Sequence, residues 1–443
     1  MWTSPRALAL LLARWLKLPQ VRVALILLCS SIGIQFYFAR FERPEEIAVG
    51  WNQHLGAEYF NIARALLDGR GFADPFGEAT GPTAWMPPLY PALLAAIMAV
   101  VRERPLAAVA VLTLTHLSLV SAGVTVYSIA RKYARGVQPW LVAVILIAWL
   151  AAFNVWFFLI TQDTWLFVLV VNVILVLIYR RIEFGETKTW AWTLVGGVLF
   201  LLSPTLIVPW LALIVYFAIE DRQWRKWCAI VGIAAAFGVP WAVRNAVVFH
   251  KFIPMKSNFG YDLYLANVLD DDGVYDNRVL LQHPFANPLT RFEYARLGEA
   301  AFNQHYQQLA IEQIRNQRPR VVRKVLNRAV SAVLYYRPIA VDERCGMLLF
   351  SRVVYCLPAL GFLALALLSH RNRKLVDLCC LVTASYLASY VLIAFYVRYW
   401  LALTPIFLLI VFLGIDAVFC RIRETVTATR ARSRRLSRPS DAV

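Results

Sequence analysis

Five ionisable side chains in this sequence stand at the ends of long apolar runs or, for Glu58, on a short interfacial helix between them, where a membrane protein can place chemistry. Glu58 lies in GAEYFNIARALLDGRGF (56–72) and Asp163 in FLITQDTWLF (158–167). Positive charge comes from Arg244 in VPWAVRN (239–245), Lys256 in IPMKSNFGYDLYLAN (253–267) and Arg398 in YVRYWLALTPI (396–406). Two carboxylates at one mouth can divide the work of activating a hydroxyl and orienting it. A guanidinium fork or an ammonium can hold a phosphate and neutralise it as a leaving group without a metal. Each residue also has a plain structural reading, which spacing alone leaves open. Glu58 could be an N-terminal helix carboxylate favoured by the dipole, Asp163 a helix cap, and the cations snorkelling groups at the headgroups.

The elements that must position these residues are membrane spans. Of the 443 residues 60% are apolar and 16% charged, against roughly 25% charged in soluble domains. This excludes an ordinary soluble globule. A bilayer core about 30 Å thick takes about 20 apolar helical residues. Ten candidate spans follow, at 21–39, 106–128, 138–160, 164–180, 189–203, 204–219, 227–245, 347–369, 375–396 and 399–419, with Ser203-Pro204 as a tight helical hairpin. The expected fold is an all-α polytopic membrane protein, a helical bundle of about 10–11 transmembrane helices whose extracytoplasmic loops carry interfacial helices.

The net charge of +18 is concentrated in short loops and the tail, which argues for topology and against a nucleic-acid partner. Arg6, Arg14, Lys17 and Arg22 place the N-terminus inside, and the first apolar stretch reads as a retained helix. The groups Arg131/Lys132/Arg135, Arg180/Arg181, Arg222–Lys226, Arg371/Arg373/Lys374 and the Arg-rich tail then share the cytoplasmic side. Their agreement requires that 85–101 (WMPPLYPALLAAIMAVV) enter and leave on the outer side as a re-entrant helix; the alternative is an eleventh span. The expected domains are a transmembrane catalytic core over 1–245 with a first extracytoplasmic loop at 40–105, a loop domain over 246–346, C-terminal spans over 347–419, and a disordered basic tail over 420–443. Within the second loop, 319–337 reads as an amphipathic basic helix for a membrane surface. Val322, Val325, Leu326, Ala329, Val333 and Tyr336 form its apolar face, while Arg320, Arg323, Lys324 and Arg328 hint at an anionic lipid partner.

The seven Cys lie mainly within apolar runs and the six His show no ligand spacing, so neither a disulfide framework nor a zinc module is expected. Asp270-Asp271-Asp272-Gly273 fails the EF-hand pattern and reads as an acidic turn. No cofactor is assigned, and a divalent metal stays open. Trp85, Pro87, Pro88 and Tyr90 are expected to line an apolar groove, and His54 to stand beside Glu58 if the first loop is helical that early.

GAEYFNIARALLDGRGF, TGPTAWMPPLYP (80–91), the QDT segment, PWAVRN with SNFGYDLYLAN, and RYWLALTP occur in this order on this topology. In that combination the chain, over about 20–420, resembles the bacterial integral-membrane glycosyltransferases of the GT-C class, similar to protein O-mannosyltransferases and to the aminoarabinose transferase that modifies lipid A. The resemblance implies an inner-membrane enzyme of a bacterium with both termini cytoplasmic and its site facing outward. Such an enzyme passes a sugar from a polyprenyl-phosphate donor to an extracytoplasmic acceptor, usually with inversion. By the same resemblance Glu58 matches the first-loop catalytic position and Asp163 the second-loop carboxylate. Arg244 with Asn245, Lys256 with Asn258, and Arg398 with Tyr399 are the corresponding substrate-binding positions. Many relatives carry an Asp three or four residues before Tyr59, where this chain has Leu55 and Gly56. Either Glu58 takes the base role or the chain is a catalytically degenerate partner. A transporter or flippase of lipid-linked sugars is the remaining alternative.

Overall fold

In lipid every backbone amide must be satisfied within the chain, which leaves the helix as the natural form of a long apolar run. A computed structural model describes residues 18–39, 55–134, 139–153, 157–158, 162–269, 272–275, 277–334, 345–368 and 373–436, and among them the protein is an all-α polytopic membrane protein. The N-terminal helices are α1 (Pro19–Ala39), α2 (Ala57–Leu67), α3 (Leu89–Val101), α4 (Arg104–Tyr133), α5 (Pro139–Ala152), α6 (Thr164–Phe184), α7 (Thr189–Leu202), α8 (Pro204–Asp221), α9 (Trp224–Ala236) and α10 (Val239–Phe249). The second loop carries α11 (Phe259–Tyr264), a π turn Leu265–Leu269, α12 (Asn277–Leu280), α13 (Pro288–Leu297), α14 (Glu299–Asn316) and α15 (Arg318–Leu334). The chain closes with α16 (Cys345–Leu367), α17 (Arg373–Leu392), the short α18 (Val397–Trp400) and α19 (Thr404–Leu436). Two isolated β-bridges, Ala73 with Pro82 and Val274 with Phe395, are the extended pairings among the described residues.

Seven described helices are long and apolar enough to cross a bilayer, eight if the α9–α10 pair counts as one span; ten were expected. At 227–245 the helix bends by 45°, because Pro240 supplies no N–H to the ladder and starts a new helix after Gly238. The 189–203 candidate is a helix of 14 residues, about 21 Å long, stopped by the hairpin in which extended Ser203 hands over to Pro204. Within 138–160 the described residues give the 14-residue α5 and a π-helical pair at 157–158. At the C-terminus the expectation of a disordered tail is corrected: α19 runs on to Leu436. Residues 421–436 contain no Gly or Pro, include six Arg, and are supported by Arg421 with Glu424 at 3.5 Å.

The centre of the bundle is α19. Residues Ile406 to Phe412 are at most 2% exposed on every side, as a helix that is apolar all round must be. It meets α16 through paired glycines; a Cβ on Gly361 would lie 2.9 Å from the Ile410 carbonyl, and one on Gly414 would lie 2.8 Å from the Gly361 Cα. Without a hydrophobic drive between helices in lipid, such close approach is what makes the contact attractive. Above it Trp400 is sandwiched between Trp149 at 4.8 Å and Tyr355 at 4.1 Å. Between α1 and α4, His116 meets Ser31 at 3.0 Å through Nδ1 and Gln35 through Nε2, so this intramembrane imidazole is held as interhelical glue.

Four of the basic groups converge at one end of the bundle. Arg181 binds Glu220 at 2.8 Å and Asp221 at 2.5 Å and stacks on Phe217. Lys374 also pairs with Glu220, Lys132 with Glu183, and the Trp227 indole donates to Asp221 at 3.0 Å. The segment 85–101 does not cross to that end. Its helix α3 has 13 residues, about 20 Å, and both of its ends abut α2. Tyr90, near the start, meets Tyr59 at 4.8 Å, and Arg104, just past the end, lies 4.0 Å over the Phe60 ring.

Candidate functional site

At the other end of the bundle the starts of α2 and α6 are pressed together. Gly56 initiates α2 with φ of +70°, and a Cβ there would lie 2.6 Å from Tyr59 and 3.2 Å from Gln162. Leu55 before it is 1% exposed. An aspartate at 56 would therefore displace Tyr59, and one at 55 would be buried. The close approach lets the Tyr59 hydroxyl donate to Asp163 Oδ2 at 2.5 Å. Asp163 occupies the cap position of α6 but makes no capping bond with its side chain; the cap reading fails, and the carboxylate is spent on Tyr59.

Glu58 is the second residue of α2, 5% exposed. Its carboxylate accepts from its own backbone N–H, as a first-turn acid should, yet among the described residues no other side chain hydrogen-bonds to it. Burial pushes its carboxyl up to about 7 against the opposing pull of Arg398. The neighbouring polar group is His283, with Nδ1 at 3.9 Å from Oε1. That imidazole is ringed by Phe76, Trp85, Tyr261 and Phe285. Burial lowers it to about 3, so it stays neutral and forms no ion pair with Glu58.

Arg398 follows extended Tyr396 in the turn between α17 and α19. Its strongest attraction is to Asp163, and Tyr59, Tyr396 and Tyr399 lie within its field. No hydrogen bond or ion pair to its guanidinium forms among the described residues; its contact is with the Tyr399 ring at 5.8 Å. Tyr399 in turn stacks on Tyr390 at 4.3 Å. Beside them Lys256 Nζ stands 3.7 Å from Asp262, with both side chains half-buried. Burial raises the Asp262 carboxyl, with Lys256 opposing, and Asp262 acts electrostatically on both Glu58 and Tyr399. Glu58, Asp163, Lys256, Arg398 and Tyr399, distant in sequence, are thus gathered into one cluster.

Other expected site residues hold the roof over this cluster. Arg244 donates to the carbonyls of Thr83 and Phe72, each at 2.7 Å, and to Asn245 Oδ1 at 3.0 Å. Its expected phosphate role is therefore corrected to a clamp on the first loop, because the fork is already filled. Asn245, fully buried, passes the tie on to the Ile253 carbonyl at 2.9 Å. Trp85 is also corrected: it is 0% exposed in an aromatic core with Phe76, Tyr261, Tyr294 and Phe302, and lines no groove. Tyr90 is buried against Tyr59, and Asn258 is buried at the start of α11 with its Oδ1 unbonded among the described residues. His54 lies outside the described residues, as do Asp270 and Asp271; Asp272 Oδ1 accepts from the Val274 N–H at 2.9 Å, a turn contact. Among the described residues no group of three or more His, Cys, Asp or Glu could hold a metal.

Two participants have no signature in residue spacing. His283 reaches Glu58 across 225 positions. Glu299, at the start of α14, accepts from Thr83 Oγ1 at 2.5 Å, the Ala84 N–H at 2.6 Å and the Tyr294 hydroxyl at 2.6 Å, latching the second loop onto the first. Tyr59 and Asp262 lie within recognisable motifs, but only the fold discloses what they touch. No family model, curated protein or solved structure matches the chain.

Proposed function

We propose that the protein is an integral-membrane glycosyltransferase that moves a sugar from a polyprenyl-phosphate donor to a hydroxyl acceptor at the extracytoplasmic face. The observation that carries this reading is a buried Glu58 and an Arg398 in one cluster at a single end of a membrane bundle, each without an ion-pair partner among the described residues. Unsatisfied charge in such a setting is costly and is retained for function. The orientation is supported by the basic groups gathered at the opposite end, which belongs inside by the positive-inside rule. Nucleotide sugars do not occur outside the cytoplasmic membrane, so a transferase facing outward draws on a lipid-borne donor.

In the reaction, Glu58 as carboxylate removes the proton of the acceptor hydroxyl while that oxygen bonds to the anomeric carbon. The bond from that carbon to the phosphate oxygen breaks through an oxocarbenium-like state, and the polyprenyl phosphate leaves with its electron pair. Arg398 meets the charge developing on the phosphate. Tyr59 holds Asp163 so that its second oxygen can orient Arg398 or the acceptor. Lys256, tethered by Asp262, is the second cation within reach.

The test is transfer by the purified full chain in lipid vesicles, with radiolabelled polyprenyl-phosphate sugars as donors and membrane extract as acceptor, and Glu58→Gln in parallel. Transfer by the parental chain that drops by about 10³-fold or more in the variant is the expected result. Tight donor binding without transfer by either chain would move the reading to a flippase or a degenerate partner.

A further inference from the structure

Helix α15 turns its charge inward. Lys324 and Arg328 are 1% and 0% exposed, Lys324 donating to the Asn267 carbonyl at 2.9 Å and Arg328 to the Val391 carbonyl at 2.8 Å. Outward it presents Val322, Leu326, Val330 and Val333, which are 44–60% exposed. This reverses the usual arrangement of a helix on a globular protein, and the helix's tethers indicate what covers the apolar stripe. Arg328 is bonded to the last turn of span α17, and the Tyr355 hydroxyl of span α16 donates to the Ser331 carbonyl at 2.9 Å. The stripe is thereby fixed beside two spans, at the last turn of α17 and at Tyr355 within α16, and α15 packs against α18, which carries Arg398. By helical period, exposed Arg318 and Arg323 fall on opposite sides of the stripe.

We infer that α15 is seated in the bilayer interface at the site end, with its Val322–Leu326–Val330–Val333 stripe in the acyl boundary and Arg318 and Arg323 holding anionic phospholipid headgroups. The apolar side chains then lose water to acyl chains, while the arginine stems lie along the stripe with their guanidinium groups at phosphate level. The surface belongs to bilayer lipid and does not depend on the transferase reading.

The experiment places p-benzoylphenylalanine at position 326 or, as reference, at Gln308 on the exposed side of α14. The full chain is reconstituted in vesicles of equal phosphatidylcholine and phosphatidylglycerol, irradiated, and its peptides analysed by mass spectrometry. Lipid adducts at 326 and not at 308 are expected, with phosphatidylglycerol favoured about three-fold or more. In the Arg318→Gln, Arg323→Gln double variant that preference should fall towards one, with adduct yield retained. Cross-links from 326 solely to a second copy of the chain, or no lipid adduct, would overturn the seating. Equal adducts of the two lipids in the parental chain would overturn the headgroup assignment.

Discussion

The two ends of the bundle treat charge in opposite ways. At the end holding Arg181, each acid of the central network has a cation: Glu220 has Arg181 and Lys374, Asp221 has Arg181 and Lys226, and Glu183 has Lys132. At the site end Glu58 has a neutral imidazole at 3.9 Å for a neighbour and Arg398 a tyrosine face. Saturated pairing fixes helices to one another; unsatisfied pairing leaves binding capacity for something that arrives. The same contrast recurs within the site end, where three donors meet Glu299 and, among the described residues, no side chain donates to Glu58.

That contrast can be broken by exchanging function for stability. The largest effect expected after Glu58→Gln is from Arg398→Gln, which should raise the donor KM by about 10²-fold while the melting temperature stays level or rises. Arg244→Gln should do the reverse, lowering the melting temperature with transfer per folded molecule unchanged. Purified variants scored for both quantities separate the two arginines. Equal losses of donor affinity would erase the distinction between clamp and site.

At the paired end, Arg181→Ala should destabilise by about 3 kcal/mol, since two acids lose their common partner, with donor KM unaffected. Glu58→Gln should do the opposite, and the size of the gain depends on pH. The carboxyl is raised from 4.5 to about 7 by folding, so the native state carries no penalty below pH 4.5 and a full one above 7. The variant should therefore be more stable than the parent by about 3 kcal/mol at pH 8 and about equal to it at pH 4. Melting curves at the two pH values check it, and a pH-independent difference would remove Glu58 from the titration.

The smallest effect concerns Tyr59, which touches Asp163 and no reacting group. Tyr59→Phe should lower kcat about ten-fold with donor KM nearly constant, because the loss is of carboxylate orientation. A shift confined to KM would place Asp163 in donor binding instead.

Much of the architecture was legible because lipid imposes it. Apolar run length places seven or eight of the ten expected spans, and the Ser203-Pro204 hairpin follows from the same one-dimensional rules. The site was legible in part: Asp163 and Arg398 stand at span borders in the sequence, Glu58 stands in a first-loop helix, and the three are close in space. Arg244 and Arg398 could not be told apart, since each sits beside aromatic residues at a span end and only the fold reveals which fork is filled. The inward face of α15 escaped for another reason. An amphipathic pattern fixes that a helix has two faces, while the choice of which one meets protein depends on carbonyls such as those of Asn267 and Val391, far away in the chain. Likewise the reach of His283 to Glu58 is set by loop packing around Trp85 and leaves no local trace.

The central claim, that Glu58 is the base, is tested most directly by the pH dependence of single-turnover transfer at saturating donor. The parental rate should climb about ten-fold per pH unit below 7 and level off above it, while Glu58→Gln gives a flat residual rate at least about 10³-fold below the plateau. A parental profile flat from pH 5 to 9, or a Glu58→Gln rate equal to the parental one, would contradict it.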